Sequence, residues 1–139
     1  MYGAENKRGN KEHSFHLVFI CDESGILDAF KSVKTHLVRR RGIALSLIYV
    51  IPENILNPLF VRELSILERR FPNNLFISIL KIKPREYDYM QEYIEAVINS
   101  NTLLNMQFSI FGDAEFVSYV SGILEFLNND TYSIESKVI

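Results

Sequence analysis

The residues with the types and spacing for chemistry gather where strands hand over to helices. The first such place is Asp22-Glu23-Ser24-Gly25, a short polar turn between the apolar run Phe15 to Cys21 and a segment with one apolar face. In a parallel α/β sheet, a strand-turn-helix of this kind receives a nucleotide's phosphates, because the first amides of the helix point into the turn. Gly25 would let the backbone come close to such an anion, and Ser24 offers a hydroxyl. Asp22 and Glu23 oppose it with two carboxylates. Gly112-Asp113 forms a second turn of the same kind, and Asp28 lies in the first turn of the first helix. If Asp22, Glu23, Asp28 and Asp113 crowd one end of the sheet, each opposes a phosphate by about 0.3–1 kcal/mol, and together they weaken its binding by roughly one to two orders of magnitude. The same acids also suit helix starts: Asp113, and Asp22 or Ser24, are good N-caps. A carboxylate that caps a helix occupies the donors a phosphate would need.

Other chemistry is thin. Cys21 ends an apolar strand without a second thiol, which marks a packed core residue in a reducing, cytoplasmic setting and excludes an intramolecular disulfide. His13, His16 and His36 have no metal-ligand spacing. No Walker loop, nucleophile elbow or zinc-protease motif occurs. Arg39-Arg40-Arg41 suits the negative end of a helix dipole better than a ligand site, since that end lies far from the polar turn. Tyr87 and Tyr89 could stack on a base, but loop tyrosines more often pack over a neighbouring edge. The net charge of −2 gives no broad electrostatic reason to expect nucleic acid. No apolar run reaches the roughly 18 residues of a membrane helix.

Positioning these residues requires a regular alternation. Strands are expected at Phe15 to Cys21, Ile43 to Val50, Leu75 to Ile82, Gln107 to Phe111 and Thr131 to Val138. Helices are expected from Gly25 to about Arg40, Leu56 to Arg70, Glu86 to Ser100 and Ala114 to Leu127. The first helix would bury Ile26, Leu27, Phe30, Val33, Leu37 and Val38, the second Leu59, Phe60, Leu64 and Leu67, with Asn57-Pro58 fixing its start. The third would carry Met90, Tyr93, Ile94, Val97 and Ile98 on one face, and the fourth would bury Phe116, Val117, Val120, Leu124 and Leu127. Such a βαβαβαβαβ order argues for a three-layer αβα domain around a parallel sheet, with ligands at the carboxyl ends of its strands. One domain, residues 15–139, is expected after a polar leader or linker stub, residues 1–14.

The turns carry a resemblance. Cys21 to Phe30, CDESGILDAF, resembles the first motif of the pyridine-nucleotide lobe of the ferredoxin–NADP reductase family, a glycine-rich Thr-Gly-Ile turn followed by a small residue and proline. Ser24-Gly25-Ile26 falls on Thr-Gly-Ile, and Asp28 stands for the proline. Phe111-Gly112-Asp113-Ala114-Glu115-Phe116 is similar to the second motif, Cys-Gly-Pro-x-x-Met. Lys83-Pro84 looks like the Arg-Pro step that ends the third strand. The resemblance covers about residues 15 to 138. It implies five parallel strands in the order 3-2-1-4-5 and an NAD or NADP site across the ends of strands one and four. Ser24, Gly25, Ile26, Gly112 and Asp113 would line that site, and Lys83 would sit near the adenosine phosphate. It further implies a flavin, FAD, held by another domain or chain that takes the hydride, and an iron-sulfur protein as a further electron carrier. Phe111 stands where the family places a cysteine beside the reacting carbon, and its ring could fill that slot. The alternative is a degenerate lobe kept as a structural or protein-interaction module. A receiver-like domain would need an aspartate at the end of the third strand, which here reads Lys81-Ile82-Lys83.

Overall fold

The computed structural model describes residues 15–39, 42–83, 88–99, 105–127 and 133–139. Strands β1 (Phe15–Cys21), β2 (Ala44–Pro52), β3 (Leu75–Ile82), β4 (Asn105–Gly112) and β5 (Ser133–Val138) alternate with helices α1 (Ile26–Arg39), α2 (Val61–Arg70), α3 (Asp88–Asn99) and α4 (Ala114–Leu127). The strands pair in parallel in the order β3-β2-β1-β4-β5. The fold class expected from the sequence is the one observed.

Burial follows position in the sheet. In β1, the central strand, every residue from His16 to Cys21 is buried, as both of its faces are covered. Leu17, Phe19 and Cys21 face one layer, packed with Ile26, Ala29, Val33 and Leu37 of α1 and Leu64 and Leu67 of α2. Val18 and Ile20 face the other, packed with Met90 and Ile94 of α3 and Phe116, Val120 and Leu124 of α4. The period-2 alternation of the strands and the 3.6-residue stripe of each helix meet in these two half-cores. At the amino-terminal end of the sheet, His16 shares a hydrogen bond with Ser46, Nε2 to Oγ at 2.8 Å.

Several boundaries differ from the sequence reading. Strand β2 runs on to Pro52, because it keeps its pairing with β3 through Ile82. The second helix begins at Val61, not Leu56, so Pro58 lies ahead of it. Phe60 precedes it with φ 67°, a left-handed conformation uncommon for a bulky side chain. Its ring packs on Phe30 of α1, with centroids 5.0 Å apart, and its carbonyl accepts the Leu64 N–H at 2.8 Å. Leu59 is therefore turned outward, 57% exposed. Leu27 and Val38 are also exposed, since the buried stripe of α1 is carried by Ile26, Ala29, Val33 and Leu37. Gly42, at φ 82°, supplies the left-handed residue after α1. The expected leader at 1–14, Arg40, Arg41, Glu86, Tyr87 and the side chain of Tyr89 lie outside the described residues. No helix among the described residues is long and apolar enough to cross a membrane.

Candidate functional site

Strands β1 and β4 run side by side in register, with Cys21 beside Phe111. The two turns that follow them are therefore neighbours. Asp22 ties them together. Its own N–H donates to the Phe111 carbonyl at 3.2 Å. Its Oδ1 accepts the Gly25 N–H at 2.9 Å, and its Oδ2 accepts the Asp113 N–H at 3.2 Å. The carboxylate of the first turn thus fills donors at the start of both α1 and α4. Asp113 caps α4, its Oδ1 accepting the Phe116 N–H at 2.8 Å. Burial raises the Asp22 carboxyl above the ordinary aspartate value; the amides of Asp113, Gly25 and Ser24 pull it down, and the Asp113 charge adds to the rise.

Both glycines are pressed by the chain itself. A Cβ on Gly25 would lie 2.1 Å from the Phe111 carbonyl oxygen. A Cβ on Gly112 would lie 2.6 Å from Cδ2 of Phe116 and 2.8 Å from Cγ of Asp22. Neither glycine has a left-handed backbone. Each is required because two segments meet there, and the space beside each is already full.

A crevice of about 340 Å³ opens over the carboxyl ends of the strands. Its walls come from the first turn (Asp22, Glu23, Ser24), the ends of β2 and β3 (Val50 to Pro52; Ile82 and Lys83) and the start of α4 (Asp113, Glu115, Phe116). Its position at the carboxyl edge, beside the strand where the chain reverses its winding, is where open α/β sheets take ligands. Among the described residues, four carboxylates and one lysine line it, over an apolar floor of Val50, Ile51, Ile82 and Phe116.

The residues singled out in the sequence separate here. Ser24, Asp113 and Lys83 reach this crevice, Ser24 and Lys83 as exposed groups. Gly25 and Gly112 are buried beside it. Ile26 is 1% exposed and belongs to the core under α1. Phe111 lies on the α1 face of the sheet, its ring 5.6 Å from that of Phe19, and does not line the crevice. The side chains that crowd Gly112 are those of Asp22 and Phe116. Asp28 also leaves the acidic group: it pairs with Lys137 of β5 at 2.6 Å. Glu115, which the sequence reading passed over, takes its place in the crevice; its position in the first turn of α4, two residues after the Asp113 cap, was the available signal. Cys21 and Tyr49 are neighbours across β1 and β2, both buried, and burial raises the thiol and the phenol above their usual values. That environment leaves Cys21 protonated and unreactive. Among the described residues, no group of three or more histidine, cysteine, aspartate or glutamate side chains is placed to hold a metal ion.

No protein-family model matches the chain, and no curated protein does. Solved structures do. Ferredoxin-NADP+ reductase from Plasmodium falciparum superposes with a TM-score of 0.63 at 18% identity, covering 95% of this chain and 55% of that one. A point mutant of the same reductase gives 0.61 at 18% identity, and a second mutant, in complex with 2′P-AMP, gives 0.55 at 16%, both with the same coverage. The chain thus spans about half the length of the structures it matches. Together with the strand order and the paired turns, this likeness makes the fold a ferredoxin reductase-like α/β fold over nearly the whole chain.

Proposed function

We propose that the chain is the pyridine-nucleotide lobe of a ferredoxin reductase-like, flavin-dependent oxidoreductase. Its ligand is NAD(P)H, and a flavin-bearing domain or chain completes the reaction. The observation that carries this reading is the crevice at the carboxyl edge, walled by the same two turns that the resemblance singled out. Support comes from the solved reductases, which share the fold over 95% of this chain and extend well beyond it. The reaction class is hydride transfer from NAD(P)H to FAD, with electrons passing on to a one-electron carrier such as an iron-sulfur protein.

The residues fit this ligand unevenly. The apolar floor suits a flat ring, the Ser24 hydroxyl stands at the mouth, and Lys83 supplies a positive charge for a phosphate. The Gly25 and Asp113 amides, at the starts of α1 and α4, do not fit a pyrophosphate, because Asp22 already holds them. A second reading, a lobe retained as a structural or protein-interaction module, is favoured by that same contact and by the four carboxylates around it.

Titration of the purified chain with NADH and NADPH at low salt, followed by calorimetry, separates the two readings. Saturable binding weakened by Ser24→Trp and by Lys83→Glu supports the nucleotide lobe, and the ratio of the two affinities assigns the cofactor. Absence of binding up to millimolar nucleotide, for the chain alone and with an added flavin domain, refutes it in favour of the interaction module.

A further inference from the structure

We infer that Asp22 is an internal anion, an autoinhibitory contact that occupies the donors a ligand phosphate would use and holds the two turns closed over each other. This inference rests on reading the crevice as a nucleotide site, and it concerns how that site is regulated. The contact has the form of a bound anion. One carboxylate receives an N–H from the first turn at 2.9 Å and another from the start of α4 at 3.2 Å, 91 residues further along the chain. Gly112 leaves room for it: the carboxylate carbon lies 2.8 Å from where a Gly112 Cβ would be. An external phosphate must displace this group, since a carboxylate and a phosphate compete for the same amides.

The contact is biased toward release. Asp22 is half-buried, with Glu23 in its own turn and Asp113 and Glu115 at the start of α4 facing the same crevice. Lys83, at the end of β3, is the one cation among the described residues that lines that crevice. Cys21, the preceding residue, is held neutral by burial. Removing the charge at Asp22 lowers both the competition and the repulsion that an incoming phosphate meets. The direction of the shift at Asp22 agrees: its neutral form is favoured more than in an exposed aspartate.

The test uses the full chain and inorganic pyrophosphate as the probe, with NADPH titrated in parallel. Wild type, Asp22→Asn, Asp22→Ala and Glu115→Gln are compared by calorimetry at low salt, with thermal melting to verify folding. Asp22→Asn keeps one acceptor for an amide while losing the charge, so it guards against loss of fold in the alanine variant. Both Asp22 variants are expected to bind pyrophosphate at least about tenfold more tightly than wild type, more than removal of a neighbouring helix-end charge alone supplies. Glu115→Gln, which removes a crevice charge and frees no amide, should change it less than about threefold. The ratio of wild-type to Asp22→Asn affinity should rise toward one as the pH is lowered. Equal pyrophosphate affinity for folded wild type and Asp22→Asn overturns the inference, and so does a Glu115→Gln gain as large as that of Asp22→Asn. A gain in pyrophosphate without NADPH or NADH binding by any variant upholds the internal anion and refutes the nucleotide reading. Wild-type NADPH binding as tight as that of the Asp22 variants does the reverse.

Discussion

Gly25→Ala tests whether this glycine serves the chain or a ligand. Its backbone is outside the left-handed region, so alanine brings no dihedral strain. What alanine lacks is space: its Cβ would sit 2.1 Å from the Phe111 carbonyl oxygen, 2.3 Å from the carbonyl carbon and 2.7 Å from the Phe111 Cβ. All but the last belong to the backbone of β4, which cannot swing aside, so the turn must retreat by about 1 Å to reach ordinary contact. Three hydrogen bonds depend on its present position: Asp22 N–H to Phe111 at 3.2 Å, and the two amides on the Asp22 carboxylate. Weakening two or three of these at about 1 kcal/mol each, with about 1–3 kcal/mol for overpacking, gives a loss of roughly 3–6 kcal/mol. Set against a typical stability of about 5–15 kcal/mol, that corresponds to a melting temperature lower by about 10 °C or more. Urea unfolding of the ligand-free protein, followed by circular dichroism, measures it. A loss under about 1 kcal/mol would refute the clamp and return Gly25 to a role in ligand approach alone.

Gly122→Ala is the opposite case: nothing lies within 4 Å of its built Cβ on α4, so alanine should stabilise the protein by about 0.5–1 kcal/mol in the same assay. The Asp22 carboxyl is raised in the folded chain, so its neutral form binds the fold better, and the stability it contributes is present below about pH 4 and lost as pH rises through its folded value. Asp22→Asn, which keeps one acceptor for the two amides, should therefore lose less stability than wild type between pH 4 and pH 7 in urea unfolding; an equal or larger loss over that range would refute that sign. Phe111→Ala removes a half-buried ring from Phe19 and should cost about 1–3 kcal/mol while leaving nucleotide affinity unchanged, because the ring is on the other face of the sheet from α4. Lys137→Met breaks the Asp28 pair, whose lysine is 63% exposed, and should move stability by less than about 1 kcal/mol.

The sheet was legible because its instructions are spread over many residues. The apolar residues of β1 to β4 and each helix's stripe repeat the same message, and losing Leu27 or Val38 from the buried face of α1 leaves Ile26, Ala29, Val33 and Leu37 to carry it. The start of α2 was misread because it rests on one residue. Phe60 takes a left-handed backbone with its ring on Phe30, and no local pattern announces a phenylalanine in that conformation. The site is harder still, since each of its residues has two uses that look alike in sequence. A glycine in a phosphate turn and a glycine under a crossing backbone are the same letter. Only the pairing of Cys21 with Phe111 shows that Gly25 lies against the β4 backbone.

The aspartates follow the same logic with a different result. Asp113 and Asp22 were both readable as caps, and both accept amide hydrogens at helix starts. A cap needs only the first turn of its own helix, and Asp113 does no more than that. Asp22 reaches across to the Asp113 amide as well, a contact that depends on strand order rather than on neighbouring residues. A helix start served by Ser24 alone would have left the second turn open. On the nucleotide reading proposed for the crevice, the cross-turn bond therefore makes Asp22, more than Phe111 or Lys83, the residue on which admission of a phosphate would depend.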